Sequence, residues 1–336
     1  MNATATRERR LKVVAFGGGH GLSASLRALR RCAPELSLDI TAVVTVGDDG
    51  GSSGRLRAER GALPPGDLRQ ALAALAADDE VATRTAALLQ HRFARRGDPA
   101  DADADPADPL AGHAVGNLVL LGLMELLGDP VEALDHLAVL LRATGRVLPM
   151  SCQAVSLQAQ VRGADPSRPE WIATVHGQHA VAVTPGQVES VRLAPSAPPA
   201  CPAAVQAVRT ADWLIFGPGS WYTSVIPHLL VPELARAIVL SPARRLVTLN
   251  LAADNETLGL SVADHLAALR WYLPDLRIDT VLADSKAVGE PLPVHRAAES
   301  LGARLVLAPV GVADGSPRHD PEALGAALVP VLGDDR

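Results

Sequence analysis

Aromatic side chains make up only 3% of the 336 residues, and the chain has just three cysteines, Cys32, Cys152 and Cys201. No two of them sit at C-x-x-C spacing, which excludes the common zinc and disulfide-framework patterns and points to a reducing compartment. Long apolar runs are missing too. The stretch after Arg7–Arg10 ends at Gly17, and Leu118–Leu123 is equally short, so neither a signal-peptide core nor a membrane span is expected. The expectation is a cytoplasmic protein without membrane insertion. There is no excess of positive charge: 31 Lys and Arg face 37 Asp and Glu, a formal balance of -6. That argues against DNA or RNA as partner while leaving room for a local phosphate pocket. Three catalytic or nucleotide signatures are also absent. Leu22 breaks the G-x-G-x-x-G spacing, no Walker Lys-Ser/Thr pair follows a glycine loop, and Ser220 lies in no G-x-S-x-G elbow.

What is present is 48% hydrophobic residues, enough for a sizeable core, with Val and Leu strands alternating with Ala- and Leu-rich helices. Lys12–Phe16 reads as a buried strand, Gly17–Gly21 as a turn, and Ser23–Arg31 as a helix. A second strand, Asp39–Val46, runs into Gly47–Gly54. Two strands joined by a helix form a right-handed βαβ unit, and both following loops then emerge on one sheet edge. Further helices are expected over Asp67–Leu75, Glu80–Ala94, Gly116–Leu127, Val131–Leu141 and Ser261–Leu269. Short β-like runs fill 147–193, and Trp213–Phe216, Arg236–Leu240, Arg244–Leu249 and Ala303–Leu307 read as strands of the main sheet. The fold class is therefore α/β, a Rossmann-like three-layer sandwich with a mostly parallel central sheet and a small β-rich insertion. The expected organisation is one large α/β domain over 11–325, a disordered tail over 1–10 and an exposed acidic loop over 98–109.

Candidate chemistry gathers at the glycine loops. Gly17, Gly18, Gly19, His20 and Gly21 open a helix, where glycines let backbone amides approach an anion, and Ser23 adds a hydroxyl; the same loop would also serve as a tight turn. Asp48 and Asp49 follow the second strand, placed to accept from a ribose hydroxyl or to hold Mg²⁺ through water, with Gly51, Ser52 and Ser53 beside them. Asp67 is equally an N-cap or a third carboxylate. Gly217-Pro218-Gly219-Ser220 forms a second strand-to-loop junction of phosphate-binding character. Asn250, Asp254, Asn255, Glu256 and Thr257 form a polar cluster after another strand, suited to a sugar or base or to an Asx turn. His113 and His265 have no partner at metal-ligand spacing and read as structural.

The blocks AFGGGHG (Ala15–Gly21), VTVGDDGGSSGRLR (Val44–Arg57), LPPGDLRQ (Leu63–Gln70), GHAVGNLVLLGL (Gly112–Leu123), FGPGSWYTSVIPHLLVPE (Phe216–Glu233) and NLAADNETLGLSVADHL (Asn250–Leu266) occur in that order. Together they resemble the gluconeogenesis factor family, which is similar to the 2-phospho-L-lactate transferases (CofD-like proteins). The resemblance implies a ligand cleft along the carboxyl edge of the sheet, lined by Gly17–Gly21, Asp48, Asp49, Asn117, Gly217–Ser220 and Asn250. It implies a phosphorylated small-molecule partner, a nucleotide or UDP-sugar, in a regulator of cell shape and cell-wall synthesis on gluconeogenic carbon, and it implies a homodimer. No cofactor is implied for that branch. The transferase branch instead moves a phospholactyl group from a guanylylated donor with Mg²⁺. His20 stands where family loops commonly carry Thr, Gly47 where Ala is usual, and Leu260 where gluconeogenesis factors often carry an aromatic, a loss that would weaken stacking on a base or sugar.

Overall fold

A computed structural model describes residues 9–94, 108–252, 255–257 and 260–334. Most of the tail, most of the acidic loop and Asp254 lie outside these residues. Seven strands form the central sheet: β1 (Leu11–Gly17), β2 (Leu38–Val44), β3 (Gly145–Pro149), β7 (Trp213–Phe216), β8 (Arg244–Thr248), β9 (Thr280–Asp284) and β10 (Arg304–Ala308). Their order is β10-β9-β8-β7-β1-β2-β3, and every pairing is parallel. A central parallel strand is covered on both faces, so it must be apolar without alternation. Val13, Val14, Ala15 and Phe16 of β1 and all four residues of β7 are buried. Between β3 and β7 the chain makes a separate antiparallel sheet from β4 (Ser156–Arg162), β5 (Ile172–His176) and β6 (Gln187–Ala194), in the order β5-β4-β6.

From β1 the chain goes to one side, through α1 (Gly19–Leu36) to β2; β7 leads to the other, through β8 to β10. The neighbours β1 and β7 therefore mark the point where the strand order reverses. In open α/β sheets a crevice forms there outside the carboxyl ends. Phe16 and Phe216 are direct cross-strand partners whose rings stack at 4.8 Å, so the two glycine loops that follow them leave the sheet at the same level. Leu22, Leu26, Leu29 and Leu36 form the buried stripe of α1, which packs on α3 (Pro65–Leu75) and on the C-terminal helix Pro321–Gly333. In chain order β2 is followed by α2 (Gly51–Arg60), and α3 by α4 (Glu80–Gln90) and α5 (Val115–Leu127).

Three expectations change. Arg236–Leu240 belongs to a helix, Pro232–Leu240, with Leu234, Ala235, Ala237 and Ile238 buried. That is a helical face, and a five-residue apolar run cannot distinguish it from a strand. The segment after Asp49, read as a loop, coils from Gly51 into α2, with Leu56 buried beneath it. The β-like run beginning at Val147 divides: β3 closes the main sheet, whereas the small sheet occupies 156–194. Among the described residues no single helix is long and apolar enough to cross a membrane.

Candidate functional site

The loops after β1 and β7 meet. A Cβ on Gly21 would lie 2.4 Å from the Pro218 carbonyl oxygen and 2.5 Å from the Gly219 Cα, backbone atoms that cannot swing aside. Over this junction opens a cleft of about 820 Å³, lined by Gly18, Gly19, His20, Gly21, Ser23 and Asp67 on one side and by Gly219, Ser220 and Asn250 on the other. Nine predicted positions thus share one space at the β1–β7 switch. Exposed His20 and the first turn of α1 face this opening. The first intrahelical bond runs from the Leu22 amide to the Gly18 carbonyl, so the His20 and Gly21 amides precede any intrahelical acceptor.

Several donors that a phosphate would use are already engaged. The Gly219 amide donates to Asn250 Oδ1 at 2.9 Å, and Asn250 Nδ2 donates back to the Gly219 carbonyl at 2.9 Å. Asn250 therefore braces the second loop with both ends of its amide. Ser23 donates to the Gly19 carbonyl inside its own helix, and the Gly19 amide bonds to Asp67.

Asp67 is the third residue of α3, whose cap position is Pro64, so it is not the N-cap. It is 7% exposed and lies directly under the first glycine loop. A Cβ on Gly18 would come within 2.5 Å of Asp67 Oδ2 and 2.6 Å of Thr45 Oγ1, so only glycine fits there. Thr45 donates to Asp67 Oδ2 at 3.2 Å. Burial, and then the negative charge of Asp48, push the Asp67 carboxyl up to about 7 despite the bonds from Thr45 and Gly19 and the nearby Arg69. A carboxyl titrating near neutrality in a cleft is suited to proton transfer or to holding a cation.

The two predicted metal carboxylates diverge. Asp48 Oδ1 accepts from the Gly50 amide at 3.0 Å and stays beside Asp67, Ser53 and Gly66, behind the cleft wall. Asp49 turns to the small sheet, where its Oδ1 accepts from the His179 amide at 2.8 Å. The carboxylates that press on each other, and that a dication would relieve, are Asp48 and Asp67. Among the described residues no group of three His, Cys, Asp or Glu side chains converges as a metal site. Mg²⁺ itself commonly takes only one or two carboxylates, completing its shell with water and substrate phosphate.

Asn117, Ser52 and Ser53 are buried away from the cleft. Asn117 Nδ2 donates to Ser52 Oγ at 3.0 Å, and Ser52 Oγ is hydrogen-bonded to His113 Nδ1 at 3.0 Å. Burial, and then Arg55, lower the His113 pKa, consistent with an accepting neutral ring. Arg69 Nε donates to Asn117 Oδ1 at 2.8 Å and its Nη1 to Gln90. Asn117 thus holds the position of a buried cation, and Gln90 carries this network to the cleft wall. Asn117→Leu should cost about 2–3 kcal/mol in urea unfolding by leaving Arg69 short of an acceptor, with no comparable change in ligand affinity. Gly51 and Ser52 border a shallower hollow beside Asp49 and Arg92. Glu256 and Thr257 are buried, and Glu256 Oε1 accepts from the Tyr222 amide at 2.8 Å. Gly17 and Gly217 shape the strand exits: the Gly17 carbonyl accepts from Thr45, and the Gly217 amide donates to the Phe16 carbonyl.

Sequence reading did not anticipate the rest of the wall: Arg27, Gln70, Gln90, Gln178, Arg318 and His319. Arg27 lies one helical turn beyond Ser23, a spacing that marks it as part of the same face. Gln178 comes from the small sheet's connection, and Arg318 and His319 from the loop before the last helix, with no local signal. Burial brings the His319 pKa to about 4, so its ring is neutral at physiological pH.

Comparison with known proteins agrees with this architecture. Residues 13–304 match the family model of the 2-phospho-L-lactate transferase CofD. A Mycobacterium tuberculosis protein named "Putative gluconeogenesis factor" is 47% identical over 330 residues, covering 96% of this chain and 91% of that protein. The gluconeogenesis factor of Bacillus subtilis is 37% identical over 298 residues, 88% of this chain and 84% of its own. The crystal structure of a UPF0052 family member from Bacillus halodurans superposes with a TM-score of 0.79 at 31% identity, covering 95% of this chain and 99% of that one. A family match spanning most of the sheet, together with relatives of such coverage, shows that this chain belongs to the CofD family and, within it, to the gluconeogenesis factors.

Proposed function

We propose that the cleft at the β1–β7 switch binds a nucleotide-linked phosphate, of the UDP-sugar class, and that occupancy makes the protein a regulator of cell-wall synthesis and cell shape during gluconeogenic growth. The observation that carries the reading is the contact of the two glycine loops at Gly21 and Gly219 over the start of α1. It puts helix-start amides in the floor of the cleft, where an anion is favoured. Arg27 on the wall adds positive charge, Arg318 on the same wall is paired with Asp314, and Gln70, Gln90 and Gln178 supply the neutral donors and acceptors that sugar hydroxyls need. Isothermal titration with UDP-N-acetylglucosamine, UDP-glucose, GDP and NAD tests it. Saturable heat with a UDP-sugar at micromolar concentration is the expected result, and absence of heat with all four removes the basis of the reading.

One observation favours a second reading, transfer of a phosphoryl-linked group. Asp67, raised to about 7 beside Asp48, would with it hold a Mg²⁺ that would offset negative charge on a phosphate, and the helix-start amides would add to that stabilisation. Product formation from a guanylylated phospholactate donor and a deazaflavin alcohol with Mg²⁺ would support it. Turnover in the Asp67→Asn variant equal to wild type would count against it.

A further inference from the structure

Two of the three cysteines bracket the small sheet. Cys152 lies just beyond β3, before the chain enters β4, and Cys201 lies after β6, where the chain returns to the main body. The Cys201 amide donates to the Met150 carbonyl at 3.1 Å, so the exit strand is fastened beside the entry strand. The Cys152 and Cys201 side chains lie close enough to interact directly. Cys152 is exposed and Cys201 fully buried. We infer that Cys152 and Cys201 form an oxidisable dithiol whose disulfide closes the chain around the three-stranded sheet, a covalent modification site at the base of the unit that carries Gln178 into the cleft.

The surroundings supply what thiol chemistry needs. Cys201 occupies the cap position of the helix Pro202–Thr210. The hydrogen bond from Cys152 draws its thiol down most, against burial, and the Ala204 and Ala203 amides and the positive charge of Arg146 add to this, leaving it at about 7. The contact with Cys201, and then burial, raise the Cys152 thiol, so the pair loses its first proton at Cys201 and keeps the second on Cys152. Cys32 has none of this. Its thiol donates to the Ala28 and Gly325 carbonyls and burial pushes it up to about 12.

With a hydroperoxide as oxidant the step balances as follows. The Cys152 proton passes to Cys201, and the accessible Cys152 thiolate so formed attacks the peroxide, forming S–O as O–O breaks; the departing alkoxide, or hydroxide from hydrogen peroxide, takes a proton from solvent and leaves as alcohol or water. Cys201 then gives up its proton and attacks the Cys152 sulfur; S–S forms, S–O breaks, and the hydroxide leaves as water. Two electrons pass from the dithiol to the peroxide, and an external dithiol reverses the change.

The test is made on the full, native chain. After stoichiometric hydrogen peroxide and alkylation in denaturant, the wild type is expected to lose two of its three titratable thiols. Peptide mapping should show a Cys152–Cys201 link within one chain, with Cys32 alkylated, and dithiothreitol should restore all three thiols. In Cys152→Ser both remaining thiols should stay titratable under the same exposure. Survival of all three wild-type thiols, a Cys152–Cys152 link between chains, or any oxidised product other than the Cys152–Cys201 disulfide overturns the inference.

Discussion

Asp67→Asn should raise the stability of the protein at pH 8 by about 1–3 kcal/mol and leave it unchanged near pH 4. The carboxyl is raised to about 7 in the folded protein, chiefly by burial and secondly by Asp48. The folded state therefore binds the Asp67 proton more tightly than the unfolded chain, whose aspartate titrates near 4. As pH rises from about 4 to about 7 the unfolded state loses its proton first. The wild type becomes progressively less stable across that window, and the cost is complete above 7. An asparagine cannot ionise, so its advantage appears over the same window. The amide fits the site: its oxygen can accept from Gly19, and the Thr45 hydroxyl can reverse to accept from its nitrogen. Thermal or urea unfolding at pH 4, 6 and 8 checks this, and a constant difference between variant and wild type would contradict it. Binding should follow the same charge. Without Mg²⁺, a phosphate-bearing ligand should bind wild type more weakly at pH 8 than at pH 6, because ionised Asp67 repels it. With Mg²⁺ the order should reverse, and in Asp67→Asn both dependences should flatten. A gain in stability accompanied by a loss of metal-dependent binding would identify Asp67 as a group retained for function.

Gly21→Ala should abolish ligand binding and destabilise the fold by about 2–3 kcal/mol, the cost of forcing a methyl into a filled space. The added Cβ meets a carbonyl oxygen at 2.4 Å and a Cα at 2.5 Å, both in the backbone of the facing loop. Relief requires α1 and the Gly217–Ser220 loop to separate, which opens the floor where phosphate is expected. The reciprocal amide bonds between Asn250 and Gly219 resist that separation. The comparison is Gly51→Ala: nothing lies within 4 Å of its Cβ, and its φ of +46° costs only about 1–2 kcal/mol of backbone strain. Both variants would lose stability, but only Gly21→Ala should lose more than tenfold in affinity by titration. Equal affinity in the two would show that the loop junction is merely a packing contact.

The fold was legible where burial acts along the chain. A fully covered parallel strand must be a short unbroken apolar run, and Val13–Phe16 and Trp213–Phe216 announce themselves that way. In a parallel sheet every strand-to-helix loop leaves from the carboxyl edge, which puts Gly17–Gly21 and Gly217–Ser220 on one edge. Their sharing a single cleft needed the strand order, since β1 and β7 become neighbours through pairings between residues about two hundred positions apart. Side-chain roles were least legible. Asp48 and Asp49 are adjacent in sequence, yet one stays beside Asp67 and the other reaches the His179 amide of the second sheet. Asn117 and Ser52 were singled out with the cleft residues, and the tertiary structure puts them around buried Arg69 instead.

By itself, then, the sequence determined the α/β class, where the backbone must be glycine and which family's motifs the chain carries, because these depend on local geometry and periodicity, while it misread Arg236–Leu240 as a strand and left β9 unassigned. Only the tertiary structure decided which polar groups are spent on one another and which still face the cleft. Hydrogen bonds and desolvation are set by neighbours in space, and Asp67 owes its near-neutral titration to its burial under the first glycine loop and then to Asp48, against the lowering bonds from Thr45 and Gly19.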